Sequence, residues 1–200
     1  MQNESFHKYT YVHCDKMTDK EEREITRMAM SCFKVNEDPG QMQMNQSRYI
    51  WIKEKMPECF TVIKYCDKVI GGVFILPCTI EIMNEFIDNK ITEEQLADRV
   101  YKEGIDQEKM ETIYMCAAIV DHAHRRKGLA TSALLKSAEV LTQNKIPSAI
   151  FYWPFFNCDI NTKPENVTIP HSIARRIANT LGVDLFIRKK SNIFEVKVSS

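Results

Sequence analysis

The chain has 200 residues, enough to bury a core of its own, and 44% hydrophobic and 10% aromatic content exclude a disordered polar tract. Lysine plus arginine and aspartate plus glutamate number 27 each, so the formal net charge is zero. That balance disfavours a nucleic-acid binder working through broad positive charge, and it makes any anion site a local one.

Seven scattered cysteines with no C-x-x-C pair indicate neither a disulfide framework nor a zinc site, and they fit a reducing compartment. The first residues, MQNESFHKYTYVHCDKM, lack a basic segment followed by an apolar one. No stretch approaches the roughly 18 apolar residues of a membrane span. The expectation is a cytoplasmic protein without membrane contact.

In chain order, residues 7–14 alternate as a first strand. Thr18 and Glu21 stand at capping-box spacing and open a helix with Ile25, Met28, Ala29 and Cys32 on one face. QSRYIWIKEKM predicts a second helix before Pro57. CFTVIKY, CDK and VIGGVFILP then read as strand, tight turn and strand. Between about 79 and 109 the pattern becomes helical, with Thr92 and Gln95 as a second capping box and Gly104 as a stop. This pair is too short for a domain and reads as an insert.

TIYMCAAIV, residues 112–120, is continuously apolar, as a central strand covered on both faces should be. A helix follows from Gly128, with Ala130, Leu134, Ala138 and Leu141 on one face. SAIFYWPFF gives an aromatic strand broken at Pro154. IPHSIARRIANTLG gives a helix with Pro170 near its start and Gly182 at its end. VDLFIRK and NIFEVKV predict two closing strands.

HRRKGLA, residues 124–130, lies where the central strand becomes a helix. A helix start presents unpaired N–H groups and about half a positive charge. Arg125, Arg126 and Lys127 on that turn, with Gly128 admitting close approach to the backbone, suit a phosphate or pyrophosphate. The alternative is a solvated turn in which Gly128 serves only conformation.

These residues in this order of elements resemble the GCN5-related N-acetyltransferase family. Its signature, Q/R-x-x-G-x-G/A after a central strand, matches Arg125, Gly128 and Ala130, and its longer form aligns with VDHAHRRKGLA from Val120. The resemblance covers nearly the whole chain except the insert. It implies an α/β (α+β) fold, a mixed, mostly antiparallel sheet splayed at the cofactor site and flanked by helices, in a single acetyltransferase domain over 1–200.

It further implies acetyl-CoA as co-substrate. Arg125, Arg126, Lys127, Gly128, Leu129, Ala130 and Thr131 would hold the cofactor, with the amides from Arg126 through Thr131 cradling the pyrophosphate. Ala118, Ile119 and Val120 would pair with the pantetheine arm as with an added strand. A fully paired core strand is the alternative for those three. Direct transfer of acetyl to an amine of a small molecule or protein follows, with a main-chain N–H near Ala118 or Ile119 for the oxyanion.

The tyrosine that the family often places on the closing helix to protonate the thiolate is Ala178 here, a frequent asparagine is His171, and a frequent glutamate is Tyr114. Tyr114 and Tyr152 are the catalytic candidates, with packing as the alternative for each and a water relay as a third route. Asp121, His122 and His124 lack further ligand clusters, so no metal is expected. Cys116 and Cys158 have no motif-placed base to activate them. The acidic insert would cover the acceptor site and favour a cationic amine, or serve as a packing layer or homodimer contact. A CoA-binding module without catalysis is the competing reading.

Overall fold

In the computed structural model, which describes residues 8–33, 38–153 and 171–188, the first capping box forms as its spacing predicts. Thr18 N–H donates to Oε2 of Glu21 at 2.9 Å and Glu21 N–H to Oγ1 of Thr18 at 3.3 Å, opening α1 (Asp19–Cys32) after β1 (Tyr9–His13). Asn45 caps α2 (Gln46–Lys55). The hairpin β2 (Phe60–Tyr65) and β3 (Lys68–Cys78) turns over Cys66, whose φ is 54°, and Asp67.

The insert is α3 (Ile80–Ile87) and α4 (Glu93–Glu103), capped by Thr79 and Thr92 and ended by Gly104 in the left-handed region. Then come β4 (Thr112–Val120), α5 (Leu129–Leu141), β5 (Ala149–Tyr152), α6 (His171–Leu181) and β6 (Asp184–Ile187).

One six-stranded sheet runs in the order β1-β2-β3-β4-β5-β6. The pairings from β1 to β4 are antiparallel, and β4–β5 and β5–β6 are parallel. Parallel neighbours need crossovers, supplied here by α5 and α6. The mixed sheet flanked by helices is the fold class that the sequence implies.

Strand alternation assigns the two faces. Thr61 and Val73 face α5, where Thr61 Oγ1 lies 2.7 Å from Ser137 Oγ and 2.9 Å from His13 Nδ1. Gly72 faces α1, its missing Cβ leaving room for Ile25. Leu76 and Tyr114 continue the α1 face, and the insert packs there through Phe86, whose ring centroid is 5.1 Å from that of Tyr114. At Gly71 a Cβ would stand 2.2 Å from the Ile119 carbonyl oxygen, so β3 and β4 approach closely at the end of the pair.

Two boundaries differ from the sequence expectation. Cys14 leaves the first strand for a short 3-10 turn (Cys14–Lys16), and β5 stops at Tyr152. The second closing strand, 192–198, and Pro154, Cys158 and Pro170 lie outside the described residues, as does the side chain of His171. Among the described residues no helix is long and apolar enough to cross a membrane.

Candidate active site

Beyond β4 the chain folds into a tight turn held by its own polar groups. Asp121 N–H donates to the Ile70 carbonyl at 2.7 Å, Asp121 Oδ1 accepts from Ala123 N–H at 2.9 Å, and His124 N–H returns to the Asp121 carbonyl at 2.9 Å. Arg126 at φ 62° and Gly128 at φ 74° curl the backbone through the left-handed region, the geometry that gathers successive amides. Gly128 caps α5 with no side-chain acceptor, and the first bond of the helical ladder is Ser132 N–H to the Gly128 carbonyl at 2.9 Å. The N–H groups of Leu129, Ala130 and Thr131 therefore precede the ladder, at the positive end of the helix dipole. A Cβ on Gly128 would meet nothing within 4 Å, so open space lies beside these amides.

The cations divide their work. Arg125 folds its Nε back onto the Val120 carbonyl at 2.8 Å and so fixes the exit of β4. Lys127 Nζ donates to the Tyr9 hydroxyl at 3.2 Å. His124 contacts Tyr65 with ring centroids 5.0 Å apart and Tyr9 at 5.9 Å, its Nδ1 lying 3.3 Å from the Tyr9 hydroxyl. His124 is thus built into an aromatic cluster against β1 and β2.

β4 leaves its neighbour just before this turn. It pairs with β5 only from Thr112 to Met115, and Cys116 to Val120 have no strand partner on that side among the described residues. The register with β3 shifts between Phe74 and Ile75 so that Cys116 is the extra residue of a bulge. A bulge increases local twist and bends the strand, a physical reason for the separation. Because Asp121 N–H bonds to β3, alternation turns the N–H and C=O of Ala118 and Val120 to the open edge and those of Ile119 back to Gly72. Of the two oxyanion donors the sequence leaves open, Ala118 faces the edge and Ile119 does not.

The structure places both candidate tyrosines in the core. Tyr114 is 1% exposed, ringed by Phe86 and Phe151, and its hydroxyl donates to Oε1 of Glu93 at 2.6 Å. Burial, with Glu93 beside it, drives its pKa well above the usual tyrosine value. Tyr152 is 3% exposed on the opposite face of the sheet, and burial raises its pKa as well. Both rings pack as large apolar bodies, the alternative that the sequence leaves open for each.

Glu93, one of the acidic residues of the insert, is the first residue of α4. Its Oε2 accepts from Met42 N–H at 2.9 Å and its Oε1 from Tyr114. Burial raises the Glu93 pKa above the usual carboxylate value, against the lowering pull of those two hydrogen bonds and of Arg188. The fold thus sets a carboxylate beside the Tyr114 hydroxyl. The signal was the Thr92–Gln95 capping box, which fixes the first turn of α4; the direction of that turn was not readable.

No protein-family model and no curated protein matches the chain. Solved structures similar to it include Arabidopsis thaliana Naa50 in complex with the bisubstrate analogue CoA-Ac-MVNAL, at 14% identity and TM-score 0.40 over 66% of this chain and 64% of that one. The loading GNATL domain of CurA from Lyngbya majuscula matches at 14% identity and TM-score 0.44, over 66% and 57%. The diaminobutyrate acetyltransferase EctA from Paenibacillus lautus, in complex with L-2,4-diaminobutyric acid and coenzyme A, matches at 12% identity and TM-score 0.32, over 64% and 55%. The match spans less than two thirds of each of these chains. At such identities the likeness is one of fold, and function has to be read from this chain's own residues.

Proposed function

We propose that the chain is an acetyl-CoA-dependent N-acyltransferase of the GCN5-related type, one domain over 1–200, that moves an acetyl group to an amine by direct transfer. The observation that carries this reading is the continuity between the open edge of β4 at Cys116–Val120 and the uncapped start of α5 at Gly128. An extended arm can add to the edge through Ala118 and Val120 while a diphosphate takes the amides of Leu129 to Thr131. The open space at Gly128 fits a bulky anion there.

The chemistry then has its parts. Ala118 N–H donates to the carbonyl oxygen as the carbon becomes tetrahedral. The acceptor attacks as the neutral amine, and Glu93, with its raised pKa, takes the one proton that the nitrogen gives up as it bonds to the carbonyl carbon. The amine nitrogen bonds to the acyl carbon, the carbon–sulfur bond breaks, and the thiolate takes its proton from water. Tyr114 holds the Glu93 carboxylate in place. The insert lies on the same face and would cover the acceptor, a cationic small molecule of the cytoplasm in this reading.

The direct test is calorimetric titration of purified protein with acetyl-CoA, followed by thiol release across a panel of amines. Binding with amine-dependent release is expected; absence of acetyl-CoA binding ends the proposal. A non-catalytic CoA-binding module is favoured by one observation, that Ala178 is buried where the family often carries its acid. Binding without release from any amine decides for it.

A further inference from the structure

Arg188, one residue past β6, is 7% exposed, and among the described residues no carboxylate pairs with it. Its Nε donates to Oδ1 of Asn89 at 2.8 Å, in the link between α3 and α4. Its guanidinium carbon lies 4.1 Å from the centroid of Phe86 and 5.0 Å from that of Trp153. Its Nη1 is buried with no hydrogen-bond partner. A buried cation with an idle donor is costly unless an anion compensates it.

The place of this cation is informative. Arg188 N–H extends the β5–β6 ladder to the Tyr152 carbonyl at 3.1 Å, so Arg188 and Trp153 sit one step beyond the last residues paired across β4, β5 and β6. That is the level of Cys116, where β4 departs from β5. Phe86 touches both Arg188 and Tyr114, so the guanidinium shares the insert face with the Tyr114–Glu93 pair. The same face therefore carries a carboxylate at Glu93 and a guanidinium at Arg188 that feel each other's charge, while the Arg188 Nη1 donor stays without a hydrogen-bond acceptor. A zwitterion offers an ammonium to Glu93 and a carboxylate acceptor to the idle Nη1 of Arg188, whereas a plain polyamine offers that donor nothing.

Resting on the acyltransferase reading, we propose that Arg188 anchors a carboxylate of the acceptor, so that the acceptor is an amine that also carries a carboxylate, as an amino acid does. Planar guanidinium recognises carboxylate through directed N–H donors, which makes it a specificity-determining group and not a catalytic one.

The test titrates purified full-length protein, with and without coenzyme A, with amino acids such as lysine and ornithine and with their decarboxylated counterparts cadaverine and putrescine. Tryptophan fluorescence, sensitive to Trp153, and thermal midpoint report binding; KM and kcat follow where acetyl transfer occurs. The expected result is tighter binding of the carboxylate-bearing member of at least one pair. Arg188→Met should lose that preference by about 10-fold or more, the loss expected for a charge-assisted contact, with acetyl-CoA affinity unchanged and kcat little altered. Its thermal midpoint should not fall, since a desolvated guanidinium with an idle donor is replaced by an apolar side chain of similar length. Arg188→Lys, which retains the charge, serves if the methionine variant does not fold and should show an intermediate preference. Equal binding of both members of every pair, or a preference that survives loss of Arg188, overturns the proposal. Failure of acetyl-CoA to bind, with carboxylate selectivity intact, sinks the acyltransferase reading and leaves the Arg188 anchor standing.

Discussion

The Tyr114 hydroxyl and the Glu93 carboxylate meet at 2.6 Å, joining the central strand to the first turn of an inserted helix. The strand supplies a buried ring and the insert supplies a carboxylate. If Glu93 accepts the proton of the attacking amine, Glu93→Gln should lower kcat by about 10²-fold or more with little change in acetyl-CoA affinity. Tyr114→Phe should cost less, since it removes a holding hydrogen bond and leaves the base. The pH–rate profile of the glutamine variant should also lose its acidic limb; steady-state kinetics across pH reads both effects.

The same carboxylate makes stability depend on pH. Burial raises the Glu93 pKa in the folded chain above its unfolded value, so its contribution is fully present below the unfolded value, about 4.3, and is lost as pH rises through the folded one. Glu93→Gln should therefore be more stable than the parent at neutral pH, with the difference closing in acid. Denaturant titration of both proteins at pH 4 and pH 7 measures it, and a constant difference across that window contradicts a raised pKa.

Gly128 separates conformation from ligand contact. With φ at 74° and no atom within 4 Å of an added Cβ, Gly128→Ala should destabilise by about 1 kcal/mol through backbone strain alone. Gly128→Glu adds a negative charge beside the helix start, and acetyl-CoA affinity should fall about 10-fold or more while the protein stays folded. Calorimetric titration beside thermal melts separates the two effects.

Arg48 ties down the helix that carries Glu93. It is 4% exposed and binds Glu94 through both terminal nitrogens at 2.8 Å, with Nη2 also reaching Asp98 at 2.5 Å, so it fastens α2 to α4 one residue from Glu93. Arg48→Met should destabilise by about 2 kcal/mol, the scale of lost hydrogen bonds to charged groups. It should also lower kcat by loosening the first turn of α4, and acetyl-CoA binding at the far face should be retained. Melts and single-turnover assays test the pair of outcomes.

Local chemistry was legible wherever it acts within a few residues. The capping boxes at Thr18 and Thr92, the Cys66–Asp67 hairpin turn, the apolar run of β4 and the glycine opening α5 each follow from side chains interacting with their own stretch of backbone. From these the element order and the glycine turn before α5 could be written down.

The tertiary structure alone decided which groups face the reaction. A one-residue bulge at Cys116 sets which N–H groups of β4 point to the open edge, and a single-residue shift reverses every one. Glu93 and Arg188 stand 95 positions apart, yet the fold of α3 and α4 over β4 and β6 sets them on one face of the sheet. Sequence fixes the local period of a segment; the direction in which its side chains meet others depends on packing between segments far apart in the chain, which no local pattern encodes.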